Sequence, residues 1–221
     1  RRTGLITYMR TDSTSVSAEA QHEARGWVSR AFDDSYLPGK PPSYTSQVKN
    51  AQEAHEAVRP TSILRTPDDM RPHLDRDQLR LYELIWRRFV ASQMSPARLR
   101  RHTAIVRPIR DGEGLSVVFR ANATQVEFAG HFAVSRPDHE EDPAVTEAAT
   151  LLRELTEGDL LALLDITQGQ HFTQPPPQYT EATLIRQLEE EGIGRPSTYA
   201  PTIGTLIDRQ YATAERSRLS S

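Results

Sequence analysis

The chain contains no cysteine among its 221 residues. That excludes disulfides, thiol nucleophiles and cysteine-ligated zinc, and it suits a reducing cytosol. No apolar run approaches the ~20 residues that cross a bilayer as a helix. Positive charge is not in excess either: 27 Lys and Arg stand against 30 Asp and Glu, a formal net charge of -3. The global basic field of many nucleic-acid binders is missing, so any contact with nucleic acid must come from local patches. What is present, 37% hydrophobic and 26% charged residues, is the composition of folded protein and suffices for a core in each of two or three modest domains. The chain opens on Arg1-Arg2-Thr3-Gly4, with no initiator Met and no signal sequence, and reads as beginning in mid-protein.

The first apolar stretch, Leu5 to Arg10, is rich in β-branched and aromatic residues and predicts a short strand with Ile6, Tyr8 and Arg10 on one face. A polar cluster from Thr11 to Ser15 then caps a helix whose apolar positions run from Val16 through Ala20, Ala24 and Val28 to Phe32. A shorter helical segment is expected from Ala51 to Val58, stopping ahead of Pro60 and setting His55 and Arg59 one turn apart. Arg76 to Met94 carries the clearest helical stripe: Leu79, Tyr82, Ile85, Trp86, Phe89 and Val90, a core face rather than a cofactor site. After Pro96 the pattern alternates, at Thr103–Arg107 and again at Leu115–Phe119, which predicts a β-rich domain. Arg136 to Pro143 reads as an acidic loop, Leu160 to Thr167 as a returning strand, and Pro175-Pro176-Pro177 as a stiff boundary. Beyond it, Thr180 caps a helix to about Glu191, Gly192 ends it, and another begins near Ser197, in helix-turn-helix outline. The fold class expected is multidomain α+β: a helical tyrosine-bearing domain at 1–95, a β-rich domain at 96–175 and the start of a helical domain at 176–221.

Several of these residues could carry chemistry. A tyrosine phenol, with a pKa of roughly 10, is a weak nucleophile near pH 7 unless a cation or base assists it. Arg10 on the same strand face can supply that charge and hold a phosphate through paired N–H donors; an ordinary strand pair is the competing reading. Asp12 serves equally as a helix cap. His55 can orient a phosphate or donate a proton, or can be structural. The run His55-Glu56-Ala57-Val58-Arg59 approaches the H-E-x-x-H zinc motif, but Arg59 stands where the second histidine belongs, so a zinc peptidase is not supported. Gly192 to Thr198 places small residues, a cation and hydroxyls at a helix start, where free N–H groups favour an anion, or else forms a plain turn between helices. Arg98, Arg100, Arg101, Arg107 and Arg110 form the most basic stretch, a DNA path or a solvated strand face. Asp75-Arg76-Asp77 opens a helix and Asp68-Asp69 reads as a cap, so no metal site is assigned.

Three blocks, in order, resemble the type IA DNA topoisomerases. Gly4-Leu5-Ile6-Thr7-Tyr8-Met9-Arg10-Thr11-Asp12-Ser13 is similar to the family's active-site signature. Gln52 to Pro60 is similar to its histidine segment, and Glu181–Leu184 with Gly192–Ala200 to its DNA-strand segment. The resemblance implies Tyr8, Arg10 and His55 as catalytic residues, and Asp12, Arg59, Arg195, Ser197 and Thr198 as DNA contacts. It implies an ATP-independent isomerase that breaks one strand through a phosphotyrosine, passes a strand, reseals and relaxes negative supercoils. It also implies a mobile helical domain, a β-rich arch and the beginning of a base domain. Magnesium is implied for the complete enzyme, with ligands in a Toprim domain outside this chain, so the chain alone should be inactive. The expected partners are DNA, preferably single-stranded, and that Toprim domain; a monomer in the bacterial cytoplasm, at the nucleoid, follows. Tyrosine recombinases place their tyrosine late and relaxases want a histidine pair, and neither fits. A non-catalytic helix-turn-helix module, which would prefer duplex DNA, leaves the first block unexplained.

Overall fold

The computed structural model describes residues 4–9, 13–44, 56–136, 143–215 and 218–220. It is a mixture of helices and small antiparallel sheets. Two compact units divide the chain: Arg1–Glu23, Ser43–Trp86 and Thr167–Ser221 make one, and Ala24–Pro42 with Arg87–Ile166 make the other. Helix α1 (Ala18–Ala31) and helix α3 (Arg76–Ser92) each supply residues to both units.

In the first unit the core gathers on Ile63, Tyr82 and Trp86, with Ala20 of α1 also buried. Both large aromatics bring a polar atom inside, and each finds a backbone acceptor. The Tyr82 hydroxyl donates to the Arg65 carbonyl at 2.6 Å and Trp86 Nε1 to the Ile63 carbonyl at 3.0 Å. Burial pushes the Tyr82 phenol above its ordinary value. Between them lies α2 (Pro67–Met70), started by a reciprocal cap between Thr66 and Asp69 and by proline in its first turn.

The same unit holds α6 (Glu181–Glu190) and α7 (Pro196–Asp208). Thr180 caps α6 as expected. Its end is a Schellman turn: Ile193 N–H reaches the Leu188 carbonyl at 2.8 Å and Gly192 N–H the Glu189 carbonyl at 3.1 Å, with Gly192 at φ +71°.

The second unit packs Ala24, Val28, Phe89, Val90 and Met94 in its core. An aromatic run from Trp27 to Phe32, Tyr36 and Phe128 lies beside it, the Phe32 and Tyr36 rings stacked at 4.8 Å. Strands β1 (Arg98–Val106), β2 (Ile109–Arg110), β3 (Glu113–Gly114) and β4 (Phe119–Phe128) follow. β1 pairs antiparallel with β4, and β2 with β3. After β4 come α4 (Phe132–Ser135) and α5 (Pro143–Glu154), and α5 packs on β4 and β1 with Ala149 buried. Gly130 turns the chain at φ +49° where a Cβ would lie 2.6 Å from the Ser95 and Pro96 carbonyls. A last hairpin, β5 (Thr213–Glu215) with β6 (Arg218–Ser220), belongs to the first unit.

Four local expectations change. Of Leu5–Arg10, Arg10 lies outside the described residues, and residues 5–9 form no strand element, Ile6 making an isolated bridge to Pro60. Of the helix expected over Ala51–Val58, residues 51–55 lie outside the described residues, and 56–58 are not helical. The second long strand begins where Leu115–Phe119 ends and runs on to Phe128. Leu160–Thr167 has no strand partner among the described residues and stays exposed, because a strand is stabilised only by a neighbour that takes up its N–H and C=O groups. The acidic loop falls mostly on residues 137–142, outside the described residues. Among the described residues no helix is long and apolar enough to cross a membrane.

Candidate active site

Tyr8 stands at the end of a short antiparallel clamp. Thr7 N–H donates to the Arg59 carbonyl at 2.9 Å, and Thr61 N–H to the Leu5 carbonyl at 2.9 Å, on either side of the Ile6–Pro60 bridge. Side chains double these bonds. The Thr7 hydroxyl donates to the Ala57 carbonyl and accepts from Arg59 N–H, both at 3.0 Å, while the Thr61 hydroxyl donates to the Gly4 carbonyl at 2.8 Å. Pro60 at the centre is fully buried. The residue before the tyrosine is thus gripped at three points. Tyr8 itself, next to the gripped Thr7, is 75% exposed and Met9 is 72% exposed.

The clamp's second strand is anchored in turn by carboxylates. Glu56 accepts from Arg59 Nε at 2.7 Å, Arg59 Nη2 at 3.1 Å and the Ser17 backbone N–H at 3.0 Å. Burial pushes the Glu56 carboxyl up, but the bonds from Arg59 and Ser17 and the charge of Arg59 outweigh it and hold it below the usual range. Glu23 of α1 accepts from the Ser62 hydroxyl at 2.8 Å and the Ile63 N–H at 3.1 Å. Downstream of the tyrosine, Ala57 N–H reaches the Ser15 carbonyl at 2.8 Å. Segments on both sides of Tyr8 are therefore tied to residues 56–63.

Of the expected site residues, the structure joins Tyr8 and Arg59 through Thr7. Arg10, Asp12 and His55 lie outside the described residues. The Arg59 guanidinium gives one N–H to the Pro60 carbonyl at 2.9 Å and two to Glu56. Two of its five N–H groups are left for any further contact among the described residues. Arg195, Ser197 and Thr198 come together on the first turn of α7, all exposed. Thr198 Oγ1 accepts from Arg195 N–H at 2.9 Å, and Arg195 Nη1 donates to the Gly194 carbonyl at 2.9 Å. Gly194, at φ +80°, brings the turn against Thr198 and Tyr199, 3.1 and 3.2 Å from where a Cβ would stand. Sequence reasoning passed over Thr7, Thr61 and Glu56. The inward parity of Thr7 beside an outward Tyr8 was the available signal for the first, and the three-residue spacing of Glu56 and Arg59 for the last. Among the described residues no three His, Cys, Asp or Glu side chains gather to hold a metal ion.

A presented tyrosine, a backbone clamp and a glycine-flanked helix start all lie inside a match that spans nearly the whole chain. The chain belongs to the DNA topoisomerase family, whose model matches residues 2–221. It is 47% identical over 218 residues to DNA topoisomerase 1 of Treponema pallidum, covering 99% of this chain and 28% of that protein. With DNA topoisomerase 1 of Xylella fastidiosa it shares 48% over 213 residues, covering 96% and 26%. Full-length topoisomerase I of Thermotoga maritima has a similar fold, with a TM-score of 0.70 at 33% identity, over 97% of this chain and 32% of that one. The chain spans about a quarter of the length of the curated relatives it matches.

Proposed function

We propose that this chain carries the nucleophile and part of the DNA-strand site of a type IA topoisomerase. The observation that carries the reading is the clamp: a largely exposed tyrosine that directly follows the gripped Thr7, within a family match over residues 2–221. The phenol oxygen attacks a DNA phosphorus, a P–O bond to Tyr8 forms, and the bond to the sugar oxygen breaks. That oxygen leaves as a hydroxyl after taking a proton. The phosphodiester count is conserved, so resealing reverses the step without ATP, and strand passage between the two relaxes negative supercoils. Arg10 stabilises charge on the attacked phosphate and His55 orients it or supplies the proton. Asp12, Arg195, Ser197 and Thr198 hold the single strand, the last three through the start of α7. Arg59 works mainly as the tie between the clamp and Glu56. In the complete enzyme, 1–95 is the mobile helical domain, 96–175 belongs to the arch and 176–221 opens the base domain. The magnesium implied for that enzyme is held by acidic residues beyond this chain, so the chain alone neither cleaves nor relaxes DNA. A monomer acting on DNA in the cytoplasm fits this reading.

The test is covalent capture. End-labelled single-stranded DNA is incubated with the chain, with and without a separately made Toprim domain, beside Tyr8→Phe, and resolved on a denaturing gel. Label retained on the protein only with Tyr8 and the added domain is the expected result. No adduct with folded protein and an active partner domain would refute the assignment.

A further inference from the structure

Because the chain has no cysteine, its oxidisable sulfur is confined to three thioethers, those of Met9, Met70 and Met94. Their surroundings differ. Met94 lies in the core of the second unit at 4% exposed, Met70 at the end of α2 is half-buried, and Met9, directly after Tyr8, is 72% exposed. The clamp makes no use of the Met9 side chain. On the tyrosine's side its bonds come from Gly4, Leu5 and Thr7, with the bridge at Ile6 between them. The Met9 sulfur can therefore change chemically while every one of those bonds stays in place.

We propose that Met9 is a redox modification site: hydrogen peroxide converts its thioether to the sulfoxide ahead of the other two methionines, and the sulfoxide suppresses adduct formation at Tyr8. The second half rests on the function proposed above. In the reaction the sulfur attacks one peroxide oxygen, and an S–O bond forms as the O–O bond breaks. Sulfur loses two electrons and peroxide gains them; the departing hydroxide takes the hydroxyl proton and leaves as water. Access sets the order of reaction, because the peroxide must reach a sulfur lone pair. Position sets its consequence. A flexible apolar group becomes a polar, chiral one bearing a partially negative oxygen. A DNA phosphate brought to the Tyr8 phenol then meets that oxygen on the neighbouring residue, like charge against like, and a misplacement of about 1 Å is enough to cost on the order of 100-fold in rate. Methionine sulfoxide reductases, one for each epimer, return the thioether. The modification thus withholds new strand breaks while peroxide is present and is reversible afterwards.

The experiment treats this chain with dilute hydrogen peroxide for increasing times and stops each sample with catalase. One part is digested and its methionines are read by mass spectrometry; another is mixed with untreated Toprim domain and end-labelled single-stranded DNA for covalent capture. Met9 sulfoxide should form at least about tenfold faster than that of Met94 and about threefold faster than that of Met70. While Met94 is still reduced, adduct yield should fall in step with Met9 oxidation, by at least about fivefold at completion. The urea midpoint of the treated chain should stay where it was, and the two reductases should restore the yield. Met9→Leu, close to methionine in volume and without sulfur, should keep its own untreated yield under peroxide, whereas Met70→Leu should lose yield as the wild type does. The proposal is overturned if Met70 or Met94 oxidises as fast as Met9, or if Met9 oxidises fully with the yield unchanged. Equal loss in treated Met9→Leu, or a urea midpoint that falls with the yield, overturns it too. An untreated chain that forms no adduct with an active partner domain refutes the role of Tyr8 and the second half of the proposal with it, while the order of oxidation still decides the first.

Discussion

Replacing Glu56 tests whether the clamp beside Tyr8 depends on the carboxylate that ties Arg59 to Ser17. Glu56 accepts three hydrogen bonds, two from the Arg59 guanidinium and one from Ser17 N–H. Removing one partner of a fully buried ion pair costs about 3–5 kcal/mol, and an exposed pair is worth about 0–1. The Arg59 side chain is 14% exposed and that of Glu56 33%, between the two limits but screened by solvent. Glu56→Ala should therefore destabilise the first unit by about 2 kcal/mol. Glu56→Gln keeps an acceptor for Ser17 but loses the charge, and should cost about 1 kcal/mol. Because the folded carboxyl lies below its ordinary 4.5, its contribution is complete above that value and is lost as pH falls through the folded pKa. The gap between wild type and Glu56→Gln should be flat near neutrality and close under acid. Urea unfolding in a Trp27→Phe background, followed through Trp86 fluorescence, reports on the first unit. Amide exchange at Thr7 and Thr61 shows whether the clamp loosens with it. A gap under about 0.5 kcal/mol at pH 7, or one that persists in acid, would refute the reasoning.

Two glycines give a contrast in the second unit. Gly130→Ala places a Cβ 2.6 Å from two backbone carbonyls at φ +49° and should cost about 3 kcal/mol or more. Gly112→Ala, at φ +85° in open space, should cost only the backbone strain, about 1 kcal/mol. Equal shifts in urea midpoint would show that the close approach at Gly130 is relieved elsewhere. Trp86→Phe removes the donor to the buried Ile63 carbonyl and part of the ring, and should destabilise the first unit by about 2–3 kcal/mol by circular dichroism in urea.

What the sequence made legible was what local chemistry decides. Helix α3 announces itself through its stripe, and Tyr82, Trp86, Phe89 and Val90 are indeed its buried face. The start of α6 at Thr180 and its end at Gly192 follow from side chains within one turn of the boundary. β4 was misplaced for an equally physical reason. Its one fully buried residue is a small one, Ala123 in Arg120-Ala121-Asn122-Ala123, so this part of the strand has little hydrophobic contrast, whereas Leu115–Phe119 just before it has more while mostly lying outside the pairing. Leu160–Thr167 has the apolar composition of a strand, but composition supplies no neighbour.

The site divides along the same line. A run of ten residues around Tyr8 is enough to carry the family resemblance, because a phenol, a cation and a polar cap lie close together in the chain. Where the phenol is held is decided by pairing fifty residues away in sequence, between Thr7 and Ala57. Nothing in the periodicity of either segment specifies that register. Threonine hydroxyls specify it here: Thr7 and Thr61 each reach across to a carbonyl of the opposite segment, and a shift by one residue would turn Thr7 outward and Tyr8 inward. The exposure of Tyr8 is thus a property of the clamp's register. The chemistry proposed for Tyr8 and stability of the 56–61 segment should therefore fail together when that register is disturbed, even by a substitution that leaves the tyrosine and its neighbouring arginine intact.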